Sequence, residues 1–187
     1  MPKLLIILAS TRPGRVGLPV CDWFEGRATE HGGFEVEVAD LAEINLPMMD
    51  EPNHPRLRQY AHQHTKDWSA TVDSSDAFAF VMPEYNYGIT APLKNAIDYL
   101  NQEWHYKPVG FVSYGGVSAG TRAVQMTKQV VTTLRMVPIS QAVSIPFVAR
   151  FINDEGEIEP NDVMETSSIA LLDELLKVNG AMRVLRD

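Results

Sequence analysis

The stretch Lys3–Ala9, KLLIILA, decides the fold, because it is a continuous apolar run that begins and ends at polar residues. Such a run predicts a strand buried on both faces, as in a parallel sheet covered by helices. The loop Ser10–Gly17, STRPGRVG, follows directly. A helix is predicted from Val16 or Gly17 to His31, where two glycines end it. The chain therefore opens with a strand, a glycine-containing loop and a helix.

The same alternation continues along the chain. The sequence pattern predicts further strands at Phe34–Ala39, Ala77–Met82, Pro108–Ser113 and Ser140–Ile145, and helices at Arg56–Ser74, Thr90–Leu100, Thr121–Arg135 and Asn161–Val178. Residues 41–55 read as a long surface connection, and the second strand, which is more polar, as an edge strand. Strands that alternate with helices form parallel sheets with right-handed crossovers. We expect one domain over residues 1–187, an α/β three-layer sandwich with five parallel strands in the order 2-1-3-4-5.

Composition restricts the class of function. The 187 residues carry a formal charge of −8, and 45% of them are hydrophobic. An acidic chain is a poor nucleic-acid binder, because such proteins neutralise phosphates with clustered lysine and arginine. No apolar run approaches the roughly 20 residues of a membrane helix, so we expect no membrane partner. The single cysteine, Cys21, excludes an intrachain disulfide and favours a reducing compartment, which makes the cytoplasm the expected location.

The first loop has the chemistry of a phosphate site. Its backbone N–H groups lead into a helix N-terminus, whose free donors and dipole favour an anion. Ser10 and Thr11 add hydroxyl donors, and Arg12 adds a charged guanidinium. The first twenty residues hold three bases and no acid although the whole chain is acidic. Arg15 could equally contact phosphate or lie solvated on the surface.

Two further loops follow the third and fourth strands, at the same sheet edge. In the strand order 2-1-3-4-5, the first and third strands flank a crevice where ligands bind. In Pro83–Ile89, PEYNYGI, two tyrosines offer faces for stacking and Gly88 permits close approach of the backbone. In Tyr114–Gly120, YGGVSAG, the glycines allow main-chain N–H groups to reach a polar ring edge. The convergence suits a flat ligand that bears a phosphate.

Known nucleotide motifs narrow the ligand. The sequence has no G-x-x-x-x-G-K-[ST] stretch of the P-loop NTPases and no G-x-G-x-x-G after the first strand. No C-x5-R loop of the cysteine phosphatases follows a predicted strand. A mononucleotide with its phosphate on the first loop therefore fits best.

Several strings match a known family. The chain resembles the NAD(P)H-dependent FMN reductases of the flavodoxin-like superfamily, a group that includes quinone, azo-dye and chromate reductases. The resemblance rests on the Ser10-x-Arg12 loop, Pro83–Gly88 (PEYNYG), Pro92–Asp98 (PLKNAID), and Lys107-Pro108-Val109 leading into Ser113–Gly116 (SYGG). It spans about three quarters of the chain. Where the family commonly begins its first loop with Gly, this chain has Ala9.

The resemblance implies a flavodoxin-like fold, FMN as cofactor and NAD(P)H as co-substrate. It places the FMN phosphate on residues 10–17, the ribityl chain and ring on 83–88, and the pyrimidine edge on Ser113, Gly115 and Gly116. The candidate cofactor-binding residues are Ser10, Thr11, Arg12, Arg15, Val16, Gly17, Pro83, Glu84, Tyr85, Asn86, Tyr87, Gly88, Ser113, Tyr114, Gly115 and Gly116. Family members are typically homodimers or homotetramers, and a small-molecule electron acceptor is the expected partner.

The expected reaction passes hydride from NAD(P)H through FMN to a quinone, azo compound, metal ion or free flavin. An FMN-binding electron carrier without NAD(P)H oxidation is the alternative. No catalytic acid or base is predicted, since the cofactor carries the chemistry. Glu84 could orient a ribityl hydroxyl or cap a turn, and we favour the turn cap. We predict no metal site, because His62 and His64 on a helix would point in diverging directions.

Overall fold

The computed structural model describes residues 1–186, and its centre is the predicted sheet. Five parallel strands lie in the order β2-β1-β3-β4-β5, which confirms the predicted order. The strands are β1 Lys3–Leu8, β2 Glu35–Asp40, β3 Ala77–Pro83, β4 Pro108–Tyr114 and β5 Val137–Ile145. Because β1, β3 and β4 are interior strands, their runs are apolar throughout, whereas the edge strand β2 is only partly buried.

Helices cover both faces of this sheet. They are α1 Gly17–His31, α2 Leu41–Ile44, α3 Gln63–Asp73, α4 Ala91–Asp98, α5 Thr121–Thr133 and α6 Asp162–Met182. Alternate residues of β1 divide between two cores: Leu4 and Ile6 pack with α1 and α6, and Leu5 and Ile7 pack with α3, α4 and α5. The three-layer sandwich is thus confirmed.

Helix α1 begins and ends where the sequence predicts. It starts at Gly17 and stops at Gly32, which has a left-handed φ of 70° that glycine adopts without steric cost. Thr90 precedes α4 as expected, but its hydroxyl donates to the Ala9 carbonyl (3.1 Å) instead of capping its own helix. That bond joins the start of α4 to the end of β1.

Four predictions of element bounds are wrong by three residues or more. Helix α6 continues to Met182, four residues beyond the predicted end at Val178. Helix α3 begins at Gln63 and not at Arg56, because Pro55–Leu57 form a 3-10 turn that Arg58, at φ 50°, prevents from continuing. Within the predicted connection 41–55, Leu41–Ile44 form the short helix α2, which Asp40 caps. Strand β5 begins three residues early, at Val137; as an edge strand, it accommodates Pro138.

Candidate functional site

The loops after β1, β3 and β4 meet at the carboxyl edge of the sheet. They enclose a small pocket of about 130 Å³. Its lining residues are Ser10, Arg12, Arg15, Val16, Pro83, Glu84, Tyr85, Tyr114, Gly115 and Val148. All of these except Val148 are among the sequence-predicted site residues. The structure therefore brings members of the three predicted loops into one site.

Other predicted residues surround this pocket or lie beside it. Thr11 lines a neighbouring pocket of about 320 Å³, which also touches the start of α4. Gly17 lies behind Ser10 and Tyr114. Asn86 and Tyr87 form the outer end of their loop, and Ser113 is buried at the end of β4. The site thus has a buried wall and an exposed rim.

The first loop turns into α1 without a capping side chain. A bond from the Arg15 N–H to the Arg12 carbonyl (3.1 Å) closes the turn, in which Gly14 has a φ of 69°. The residue before the helix, Val16, offers no side-chain acceptor, and the first turn contains no acid. The first N–H groups of α1 therefore have no side-chain acceptor. They face the loop, where an anion would be favoured.

Arg15 is neither solvated nor free. Its guanidinium forms a two-pronged ion pair with Asp40 at the end of β2 and also donates to the Ser10 carbonyl. The hydrogen bond to Asp40 raises the pKa of Arg15. Burial alone would raise the pKa of Asp40, but the bonds from Arg15 and the Ala42 N–H outweigh it and lower that pKa. Arg12, in contrast, is exposed at the pocket.

Three buried hydroxyls at this site have no hydrogen-bond partner among the described residues. They are those of Ser10, Ser113 and Tyr114. A Cβ on Gly17 would overlap the hydroxyl oxygens of both Ser10 and Tyr114, so only glycine leaves room for them. Burial raises the pKa of Tyr114, which keeps its phenol protonated. Unpaired buried hydroxyls are costly unless a ligand or water satisfies them.

The loop after β3 is a tight reverse turn. Tyr85 and Gly88 exchange backbone hydrogen bonds of 3.2 and 3.0 Å. Between them, Asn86 and Tyr87 have left-handed φ values of 51° and 69°. A bulky residue rarely adopts that conformation, and such strain is concentrated at functional sites.

Glu84 and Arg122 hold this turn against α5. The Glu84 carboxylate accepts from the N–H groups of Arg122 (3.1 Å) and Ala123 (3.4 Å) and from the Arg122 guanidinium, so it binds the free N–H groups at the start of α5. The Arg122 guanidinium carbon lies 3.7 Å from the centre of the Tyr87 ring. Burial alone would raise the pKa of Glu84, but the hydrogen bonds from Arg122, Ser118 and Ala123 outweigh it and lower that pKa, which keeps the carboxyl ionised.

The loop after β4 is shaped by its glycines. Gly120 has a φ of 78°, and a Cβ there would lie 2.9 Å from the Tyr114 carbonyl oxygen. Gly115 accepts a bond from the Val148 N–H (3.2 Å), which brings the 3-10 turn Val148–Phe151 to the pocket. Val148 and Arg122 were missed by sequence reasoning, because no motif in their own segments marks them.

His62 and His64 lie side by side near the start of α3. His62 and His64 do not diverge as predicted: their rings stack with centres 5.2 Å apart, because His62 precedes α3 and is not part of it. Both bond to Asp50, through its backbone and its carboxylate. Within residues 1–186, no three histidines, cysteines or carboxylates are grouped to hold a metal ion. No helix in that range is long and apolar enough to cross a membrane.

A larger pocket, about 880 Å³, lies at the opposite edge of the sheet. Its wall includes Lys107, whose ammonium donates to the Val72 and Asp73 carbonyls at the end of α3 (2.9 and 3.0 Å). Arg186, in the same wall, is engaged with the Asp76 carbonyl and carboxylate. We place the candidate site at the smaller pocket, where the unpaired donors are.

Comparison with known proteins identifies relatives. A family model described as NADPH-dependent FMN reductase matches residues 2–150. The chain is 36% identical to the NAD(P)H-dependent FMN reductase ntnL of Nectria sp, over 80% of this chain and 77% of that protein. It is 38% identical to the NAD(P)H-dependent FMN reductase C4B3.06c of Schizosaccharomyces pombe, over 78% and 74%.

More distant matches agree with the fold and extend the range of relatives. An NAD(P)H:quinone oxidoreductase of Solanum tuberosum is 42% identical over 52% of this chain and 50% of that protein. The structure of FerB, a flavoenzyme NAD(P)H:(acceptor) oxidoreductase from Paracoccus denitrificans, superposes with a TM-score of 0.78. That match covers 97% of this chain and 99% of the other at 18% identity, which supports the fold alone.

Proposed function

Since this chain belongs to the NADPH-dependent FMN reductase family, in which FMN is the cofactor and NAD(P)H the co-substrate, we propose that it reduces a small quinone or azo compound. One observation carries the assignment of the site. The buried hydroxyls of Ser10 and Tyr114 have no partner in the described residues and lie beside the uncapped start of α1. An anionic group such as the FMN phosphate satisfies donors of this kind.

The residues around the first loop fit the phosphate. The N–H groups at the start of α1, with Ser10, Thr11, Val16 and Gly17, would hold its oxygens, and the exposed Arg12 would add a charge-assisted bond. Arg15 remains a predicted phosphate contact. Its present bonds to Asp40 and to the Ser10 carbonyl hold the loop from behind.

The other two loops fit the remainder of the cofactor. Bound FMN would supply the capacity to take a hydride from NAD(P)H and give electrons to an acceptor. Residues 83–88 would lie along the ribityl chain and ring, since Tyr85 and Tyr87 are exposed at the rim. Ser113, Gly115 and Gly116 would lie at the ring's polar edge. These residues orient the reactants and exclude water. Glu84 holds the turn against α5 through Arg122 and has no role in proton transfer.

Assembly and location belong to the same proposal. Exposed apolar side chains, among them Val117 and Phe147, lie in the segments next to the site. They suit a homodimer or homotetramer in which a second copy covers the pocket. The cytoplasm is the proposed location, because the buried Cys21 thiol is free.

Steady-state kinetics test the reaction. Protein reconstituted with FMN is mixed with NADH or NADPH and a panel of one quinone, one azo dye and free flavin. Multiple turnovers with the quinone or the azo dye support the proposal. FMN binding without NAD(P)H oxidation would instead identify an electron carrier, and the absence of FMN binding would refute the site.

A further inference from the structure

The space beside Gly17 brings two buried hydroxyls together. Ser10 ends the extension of β1, Tyr114 ends β4, and Gly17 begins α1. Both hydroxyl oxygens occupy the space that a Cβ on Gly17 would fill, and both side chains are at least 99% buried. Three separate segments thus create one small polar space at the base of the candidate phosphate loop.

The hydroxyls of Ser10 and Tyr114 have one proton each, which limits the hydrogen bonds that the pair can donate. Each hydroxyl has one proton to donate and lone pairs to accept. The hydroxyl oxygens of Ser10 and Tyr114 are neighbours at the Cβ position of Gly17, and neither forms a hydrogen bond with a described residue. If the phenol donates to Ser10, the only proton of Ser10 is left to point away from Tyr114, toward the loop and the start of α1.

The surrounding groups leave both hydroxyl protons available for this arrangement. The Arg15 guanidinium donates to the Ser10 carbonyl, so it fixes the Ser10 backbone and does not compete for its hydroxyl. Burial raises the pKa of Tyr114, although its proximity to Ser10 and Arg15 opposes that shift, so the phenol keeps the proton it must donate. Cys21 is buried nearby and carries a pKa of about 12, so it too stays protonated.

We propose that Tyr114 is a positioning residue: its phenol donates to the Ser10 hydroxyl and thereby directs the Ser10 proton to the phosphate of FMN. The inference rests on the proposed function and deepens it, since it separates residues that touch the phosphate from one that acts through Ser10. Tyr114 then governs recognition of the phosphate and not of the flavin ring. Gly17 is required because it leaves the two hydroxyls room to meet.

Riboflavin, which is FMN without the phosphate, provides the test. Dissociation constants of FMN and riboflavin are measured by fluorescence titration of the cofactor-free protein and of Tyr114→Phe, Ser10→Ala and the double variant. We expect Tyr114→Phe to weaken FMN binding on the order of tenfold and riboflavin binding less than twofold. Ser10→Ala should weaken FMN binding to a similar extent. The double variant should bind FMN no more weakly than Ser10→Ala, because Tyr114 acts only through Ser10.

Tyr99→Phe is the matched control. Tyr99 is also a buried tyrosine, but its hydroxyl bonds to Asp50 and the Pro47 carbonyl, away from the pocket. It should alter stability and leave the ratio of FMN to riboflavin affinity unchanged. The ³¹P resonance of bound FMN should shift in Tyr114→Phe and not in Tyr99→Phe.

Two outcomes overturn the proposal. Equal weakening of FMN and riboflavin by Tyr114→Phe would show a role at the ring or in packing, and additive losses in the double variant would show independent roles. If Tyr114→Phe does not fold, Ser10→Ala provides the test. An unchanged ratio of FMN to riboflavin affinity in Ser10→Ala would show that Ser10 does not bind the phosphate, so Tyr114 could not act through it. Wild-type protein that binds neither flavin would refute the proposed function itself.

Discussion

Arg15 joins the end of β2 to the phosphate loop, because one guanidinium holds both carboxylate oxygens of Asp40 and the carbonyl of Ser10. The side chains are only 16% and 10% exposed. A buried pair of this kind is expensive to break by removing one partner, since the other charge is left without compensation. The pair therefore fixes the position of the loop before any ligand binds.

Asp40→Asn is expected to lower the free energy of unfolding by about 2 kcal/mol at neutral pH, because Arg15 loses its counter-charge. The pKa of Asp40 is lowered in the fold, so its stabilisation is present above the unfolded pKa of about 3.9 and is lost as the pH falls through the folded value. Urea unfolding from neutral pH to pH ~3 should show the difference from wild type shrinking.

The control for this change is Asp98→Asn. Asp98 pairs with Lys94 on the surface, where both side chains are more than 40% exposed. Such a pair contributes little, so a change below about 0.5 kcal/mol is expected. An equal loss in both variants would contradict a special role for the Arg15–Asp40 pair.

Arg12→Ala is expected to raise the FMN dissociation constant about 10- to 100-fold, the value of a charge-assisted hydrogen bond. Because Arg12 is exposed, the free energy of unfolding should change by less than about 0.5 kcal/mol. Titration with FMN measures the first and urea unfolding the second. Arg56→Ala, an exposed arginine before α3, serves as the control. Unchanged FMN affinity in Arg12→Ala would remove Arg12 from the phosphate site.

Gly17→Ala is expected to reduce both stability and FMN affinity, since its Cβ would displace Ser10 and Tyr114. Gly26, on the exposed face of the same helix, has open space at the Cβ position. Gly26→Ala should therefore stabilise the protein by roughly 0.5–1 kcal/mol through helix propensity. Thermal unfolding and FMN titration compare the two. If the two alanine variants behaved alike, the crowding at Gly17 would have no consequence.

Lys107 provides a prediction about alkaline pH. Burial lowers the pKa of Lys107 to about 8 from 10.5, so the unfolded chain binds more protons between these values. Stability due to Lys107 must then rise with pH, and the difference from Lys107→Met should grow in favour of wild type by about 2–3 kcal/mol across that range. Chemical unfolding at several pH values measures it. Lys177→Met, at an 80% exposed position, should show no such trend.

The sheet was predictable because burial on two faces leaves a direct trace in sequence. The apolar runs of β1, β3 and β4 correspond to strands that are buried throughout. Their order then placed the three loops at one edge. The start of α3 was not predictable, because a left-handed Arg58 and the Glu51 carboxylate, which accepts from the Ala61 and His62 N–H groups, stop the helix by tertiary contact.

Within the site, residue types were predictable and pairings were not. Phosphate-loop chemistry marked Arg15, but its bond to Asp40 depends on strand register, which joins the ends of β1 and β2. Val148 reaches the pocket only through a backbone bond to Gly115. Arg122 meets Tyr87 because Glu84 brings the start of α5 to the turn. Contacts between distant segments of this kind leave no local pattern.

The central claim is that this site holds FMN for reduction by NAD(P)H. The most direct measurement is anaerobic rapid mixing of the FMN-loaded protein with NADPH or NADH, followed by a quinone, while the visible absorbance of the flavin is recorded. We expect the absorbance to be lost at a rate that depends on the nucleotide concentration and to return on addition of quinone. Flavin absorbance that persists with both nucleotides would contradict the central claim.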